Sequence, residues 1–208
     1  FFRASLAKMA ADSGDERPAH HDDLNATLAF VRGFLEAGVR NRRLASHAPA
    51  LCTLAADGSP TVRTVILRGV DWAARTLEIH TDVRSGKWSE IDARPEVALH
   101  VYDRRKHLQL RLFGHATLDR AGPVAEAAFA AARPSSLEVY RVAGAPGTPI
   151  AAPDAAPARA GTSDARAVFG VVSVRFATIE YLFIGRPGHR RALFTFRGGE
   201  TDATWLVP

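Results

Sequence analysis

Short apolar runs separated by turn residues dominate the chain, and helical periodicity is confined to a few stretches. Residues 1–21 are polar and mixed, which predicts a flexible arm. From Asp22 the pattern changes. Leu24, Leu28, Val31 and Leu35 recur on one helix face, with Asp22 or Asp23 placed to cap the start and Gly38 to end it. Pro49 to Ala56 reads as a strand and Asp57-Gly58 as a hairpin turn, since glycine admits positive φ. Strands are then predicted over Thr61–Val70 and Thr76–Thr81, a short helix over Ser85–Ala93, and strands over Val97–Tyr102 and Leu108–Leu118. An alanine-rich helix over Gly122–Ala132 stops before Pro134, because the residue before proline avoids the helical region.

Residues 143–165 differ in kind. Pro146, Pro149, Pro153 and Pro157 stand among Ala, Gly and Asp without periodicity, so the stretch is either a lid or a disordered insertion. Strands resume at Val168–Ala177, Ile179–Ile184, Ala192–Phe196 and Thr204–Val207. The pattern predicts one mainly β (α+β) domain over 22–208. It is expected to be an antiparallel barrel, closed or nearly closed, with helices outside.

Composition narrows the function classes. At 208 residues, 47% hydrophobic and 24% charged, the chain is large enough for an unstapled core. The net charge of +5 admits nucleic acid and equally any phosphorylated small molecule. A nucleic-acid surface would show strand aromatics beside cations, whereas Tyr102, Phe113, Phe169 and Phe176 sit mainly in apolar runs; no nucleic acid is expected. Cys52 is the only cysteine, which excludes a disulfide framework or a thiolate cluster. The histidines lack metal-ligand spacing, so no metal is assigned. No apolar run approaches the roughly 20 residues of a membrane span, and the N-terminal residues lack the long apolar stretch of a secretory signal, so a cytoplasmic location is expected.

The candidate chemistry lies between Arg63 and Gln109. Arg63-Thr64-Val65-Ile66-Leu67-Arg68 reads as a strand with a cation at each end, and alternation sends Arg63 and Arg68 to opposite faces unless a bulge or twist intervenes. Its Val-Ile-Leu centre offers an apolar wall and backbone groups for a flat heteroaromatic ring; read alone, it is equally an ordinary strand with charged ends. After His80, the side chains of Thr81, Ser85 and Lys87 surround a turn that opens a helix, where free N–H groups and the helix dipole favour a phosphate. A unit charge pair at 4 Å contributes roughly 4 kcal/mol at an effective dielectric of 20, so two or three cations suffice to hold a dianion without a metal. Gln109, in the apolar run Leu108–Leu112, needs a partner for its amide or must face water.

In motif order and spacing these elements resemble the pyridoxamine 5′-phosphate oxidase-like family of FMN-binding split barrels. The family's Arg-x-Val-x-Leu-Lys strand is matched by Arg63–Arg68, its Tyr-Thr by His80-Thr81, its Ser-Arg-Lys by Ser85-Gly86-Lys87, and its strand Gln by Gln109. Near the C-terminus Tyr181, Arg191-Ala192-Leu193-Phe194 and Trp205-Leu206-Val207-Pro208 take the remaining family positions. The resemblance implies an antiparallel split β-barrel binding FMN, and a homodimer with the flavin sites at the subunit interface. It assigns the phosphate to Arg63 and Lys87, with Thr64, His80, Thr81 and Ser85 beside it. It lays Val65, Ile66 and Leu67 along the ring, with Arg68 near it. Gln109, Tyr181 and Arg191 complete the cofactor set from the same or the partner chain.

The departures concern substrate more than cofactor. The family's strand Lys is Arg68, and Gly86 replaces an Arg that Arg84 is close enough to replace. Arg133-Pro134 resembles the family's substrate-phosphate contact, or else supplies a helix C-terminal cation. His189 matches one residue of the C-terminal substrate motif, or else belongs to a basic turn. The resemblance implies an FMN-dependent oxidoreductase acting by flavin hydride chemistry on a small molecule, with no catalytic acid or base assigned. Pyridoxamine or pyridoxine 5′-phosphate is one candidate substrate. A non-catalytic flavin-binding or ligand-sensing protein of the same fold is the alternative.

Overall fold

Among the described residues nine strands form one antiparallel sheet, and apolar alternation along most of them builds a large core. The structure, a computed structural model, describes residues 18–155, 162–186 and 188–208. Its strands are β1 (Ala50–Leu54), β2 (Pro60–Thr64), β3 (Leu67–Asp71), β4 (Thr76–Asp82), β5 (Glu96–Asp103), β6 (Leu108–Asp119), β7 (Phe169–Phe183), β8 (Arg190–Arg197) and β9 (Glu200–Leu206). The helices are α1 (Leu24–Arg40), α2 (Gly86–Ala93), α3 (Pro123–Ala131), α4 (Pro134–Leu137) and α5 (Thr162–Val168). Hydrogen bonding runs β2-β1-β5-β6-β7-β4-β3, with β8 and β9 branching from β7. Among the described residues no ladder joins β2 to β3, so the barrel is split rather than closed.

The predicted strand Thr61–Val70 is two strands. β2 pairs with β1 as far as Thr64 opposite Ala50, and Val65 N–H then donates to Pro49 O at 2.9 Å. Pro49 has no N–H to return, so the ladder ends there. The chain crosses the gap at Val65-Ile66 and re-pairs as β3 with β4, through a register shift between Leu67 and Gly69. The two predicted strands near 168–184 are, conversely, one. β7 pairs with β4 through Phe169–Arg175 and with β8 through Thr178–Phe183, while β6 runs along its other edge. A bulge falls between Phe113 opposite Thr178 and Gly114 opposite Phe176.

Helix α1 starts where expected: Asp23 Oδ1 accepts from Ala26 N–H at 2.7 Å. It continues past Gly38 to Arg40. Gly38 serves packing instead, since a Cβ there would lie 2.4 Å from Ser46 Oγ. Val31, Phe34 and Leu35 lock the helix into the core. Of the predicted arm, residues 1–17 lie outside the described residues; Pro18 and Ala19 are exposed, whereas His20 and His21 are packed. His21 is 2% exposed with its ring 4.1 Å from that of Phe183, and His20 stacks on Phe30 at 4.0 Å.

A second, smaller cluster of Ala125, Tyr140, Ala165, Phe169 and Val171 joins α3 and α5 to β7. The proline-rich stretch therefore ends in a helix whose Ala165 is fully buried; residues 156–161 lie outside the described residues. Among the described residues no helix is long and apolar enough to cross a membrane.

The bulge gives the first prediction. A Cβ at Gly114 would lie 2.1 Å from Arg175 O, a backbone atom that cannot swing away. Gly114→Ala should destabilise the fold by about 1–3 kcal/mol through overpacking, read as a lowered urea midpoint with an unchanged m-value.

Candidate cofactor and substrate sites

The start of α2 meets the end of β2 in a cluster of cations and hydroxyls. Thr81, the last inward residue of β4, and Ser85, just before α2, both accept from Lys87 Nζ, at 3.0 and 3.1 Å. Ser85 does not cap the helix; its hydroxyl donates to Asp82 O at 2.7 Å. Arg63 donates to Thr61 Oγ1 at 2.7 Å and to Glu90 Oε2 at 2.6 Å, and also to Thr53 Oγ1. Thr61 donates to the same Glu90 oxygen at 2.9 Å.

Burial, and then the nearby Arg63 charge, push Lys87 below the usual lysine pKa, so the two cations share one electrostatic neighbourhood. Burial works against ionisation of Glu90, but hydrogen bonds from Thr53, Thr61 and Arg63 outweigh it and hold the carboxyl below its usual value. Lys87 bonds to hydroxyls, and among the described residues no carboxylate pairs with it. A half-buried ammonium with only neutral partners, beside a second cation and a helix N-terminus, suits a phosphate.

The segment predicted to line a ring divides. Val65 and Leu67 belong to the core, Thr64 is exposed, and Ile66 is half-buried. Because Val65 and Ile66 join no ladder, what this segment offers outside the core is its backbone and the Ile66 side chain.

Arg68 and His80 open onto a cleft of about 480 Å³ on the other side of β4. Alternation explains the division: Leu77, Ile79 and Thr81 are buried, whereas Glu78 and His80 line the cleft. His80 Nε2 meets Glu78 Oε1 at 2.8 Å. Arg133 also lines it, with Ser136 beside it from α4 and with Arg40 and Arg42 from the end of α1. None of these four arginines has an ion-pair partner among the described residues. Tyr140 lies buried nearby. Desolvation pushes its phenol up to about 12, against the pull of Arg68.

The remaining predicted residues lie elsewhere. Gln109, Leu182 and Arg191 stand side by side across β6, β7 and β8. In the next row Glu180 accepts from Arg111 at 2.5 Å and from Arg191 Nε at 2.8 Å. Tyr102 and Phe113, which sit in apolar runs of the sequence, are 51% and 43% exposed, because cross-strand pairing puts them on this same outer face. His189 lines a separate hollow with Asp22, Arg190, Arg191 and Trp205. Tyr181 alternates inward into the core and lines neither cleft nor hollow; its hydroxyl is 3.5 Å from His20 Nε2.

Arg84 does not stand in for the residue replaced by Gly86. Its guanidinium is shared between Asp82, at 2.7 Å, and the carbonyls of Val142 and Ala143, both at 2.9 Å. It clamps the start of the proline-rich stretch to β4. Sequence reasoning missed Thr53, Thr61 and Glu90 in the cation cluster, and Arg40, Arg42 and Glu78 at the cleft. Two of these carried a readable signal: Glu90 follows Lys87 by one helical turn, and Glu78 shares a strand face with His80.

An open antiparallel sheet with helices against it thus carries a phosphate-ready cluster and an adjoining arginine cleft. Residues 28–119 match the family described as pyridoxamine 5′-phosphate oxidase, FMN-binding domain. The chain is 30% identical over 126 residues to the pyridoxine/pyridoxamine 5′-phosphate oxidase of Paracoccus denitrificans (strain Pd 1222), covering 60% of this chain and 56% of that protein. It is 32% identical over 133 residues to the protein of that name from Rubrobacter xylanophilus, covering 64% and 55%. The chain thus spans about half the length of the curated relatives it matches. The fold is shared with a pyridoxamine 5′-phosphate oxidase-related, FMN-binding protein from Nostoc punctiforme PCC 73102, at TM-score 0.73, 21% identity and coverage of 86% of this chain and 96% of that one. It is also shared with PhzG from Burkholderia lata 383, solved in complex with tetrahydrophenazine-1-carboxylic acid, at TM-score 0.70, 17% identity and coverage of 93% and 98%. Over residues 28–119 the chain is similar to the FMN-binding domain of the pyridoxamine 5′-phosphate oxidase family, and FMN is the cofactor of that matched domain.

The Arg84 clamp is testable apart from the cofactor. Arg84→Ala should speed limited proteolysis between residues 142 and 150 several-fold while leaving bound flavin per protein unchanged, read by mass spectrometry and absorbance.

Proposed function

We propose that this protein is an FMN-dependent oxidoreductase whose substrate is a small anionic molecule, with pyridoxamine or pyridoxine 5′-phosphate the first candidates. The observation that carries this reading is the cleft with four arginines that have no ion-pair partner among the described residues, its one lining carboxylate, Glu78, being paired with His80. Arg40, Arg42 and Arg133 are exposed and Arg68 is half-buried, so water solvates them, and their convergence on one concavity raises the local positive potential that attracts an anion. The names of the 28–32% identical relatives point to the same class of substrate.

In this reading Arg63, Thr81, Ser85 and Lys87 hold the cofactor phosphate, and the backbone of 64–68 follows the ring. When bound, FMN supplies hydride transfer. Arg68 places positive charge where reduction builds negative charge. Arg133 and Ser136 hold the substrate's anionic group, and Arg40 and Arg42 draw it in. Gln109 and Arg191 reach the cofactor from a second subunit. The exposed Tyr102 and Phe113 on their face are the surface such a homodimer would cover, with His189 at its margin. A cytoplasmic location completes the reading.

Purified protein should be yellow and release FMN on denaturation, and colourless protein that FMN cannot restore would end the flavin reading. Turnover of pyridoxamine or pyridoxine 5′-phosphate with oxygen, set against NADPH-driven reduction of other acceptors, separates the catalytic possibilities. A yellow protein inert in every assay would favour the non-catalytic, ligand-binding alternative. Arg133→Ala should raise KM for the phosphorylated substrate about 10- to 100-fold, the worth of a charge-assisted hydrogen bond, while kcat and flavin content hold.

A further inference from the structure

Glu90 sits inside the cationic cluster, where an anion-binding site gains nothing obvious from a carboxylate. One of its oxygens, Oε2, receives Arg63 at 2.6 Å, Thr53 at 2.5 Å and Thr61 at 2.9 Å. Apart from one contact at 3.4 Å to Leu51 O, each hydrogen bond of the Arg63 guanidinium ends on Glu90 or on a threonine that Glu90 itself holds. Arg63 is thus engaged before any phosphate arrives, and only Lys87 is left with neutral partners. Asp82, the other carboxylate acting on Lys87, is neutralised by Arg84 and does not add to this balance. Two cations and one carboxylate leave one net positive charge facing a phosphate that carries about two negative charges.

We propose that Glu90 is a built-in competitor for the FMN phosphate, holding Arg63 back and setting cofactor affinity below what Arg63 and Lys87 alone would give. The proposal rests on the reading of this cluster as the phosphate grip. A purely positioning role for Glu90, keeping Arg63 aimed, makes the opposite prediction for the same substitution. Glu90→Gln keeps the size of the side chain and an acceptor oxygen for Arg63 while removing the charge, so the sign of the effect decides between them.

Serial dilution of FMN-loaded wild-type protein, Glu90→Gln and Glu90→Ala, with flavin fluorescence reading the free fraction, gives Kd for FMN. Titration of the same proteins with riboflavin gives the affinity for the ring without its phosphate. Glu90→Gln should lower Kd for FMN at least tenfold, about 1.4 kcal/mol. The gain should shrink in 1 M salt, while Kd for riboflavin stays within about twofold. Glu90→Ala should move the same way, which keeps the test alive if thermal melts show the Gln variant misfolded. An FMN Kd that is unchanged or raised in a folded variant overturns the role of Glu90. Wild-type protein that binds riboflavin as tightly as FMN overturns the phosphate grip as well, so the two failures are told apart.

Discussion

Pro49 governs where both candidate sites form. Its carbonyl takes the Val65 N–H, but having no N–H of its own it cannot extend the β1–β2 ladder. The chain must leave that edge at Val65-Ile66 and re-pair with β4. Arg63 stays with β2, facing α2, while Arg68 arrives with β3 at the far side of β4. β4 then serves both neighbourhoods by simple alternation, with Thr81 turned toward Lys87 and His80 toward the arginine cleft.

Charge pairing distinguishes the two sites more sharply than residue type does. Arg63, Arg84, Arg111 and Arg191 all have carboxylate partners within 3 Å and act as part of the scaffold or in competition with it. Among the described residues Arg40, Arg42, Arg68 and Arg133 have none, and they converge on one concavity. An arginine count from the sequence cannot separate these sets, because pairing depends on which strands become neighbours.

Local rules made much of this legible. Asp23 as a cap, Gly58 with φ +85° in the hairpin turn, and the sheet-forming runs all follow from residue chemistry at short range. The proximity of Lys87, Thr81 and Ser85 follows from a strand–turn–helix of a few residues. What escaped was set at long range. The branch on β7 joins strands that are distant in sequence, so one long strand with a bulge read as two. Tyr102 and Phe113 look like core residues in their apolar runs, and only pairing with β6 and β7 shows their outward face. The place of Glu90 one turn after Lys87 is readable within α2, but its bonds to Thr53, Thr61 and Arg63 of β1 and β2 are not.

The branched strand β7 also constrains how the molecule is assembled. Its ladders join Asp82 to Phe169 and Leu118 to Val172, so one edge of β4, whose other edge pairs with β3, and the outer edge of β6 wait unpaired until the chain has been made and folded through β7. Such non-local pairing slows the search for the native state and leaves edges open to wrong partners in the meantime. One late-arriving segment therefore carries both the timing of folding and the risk of aggregation.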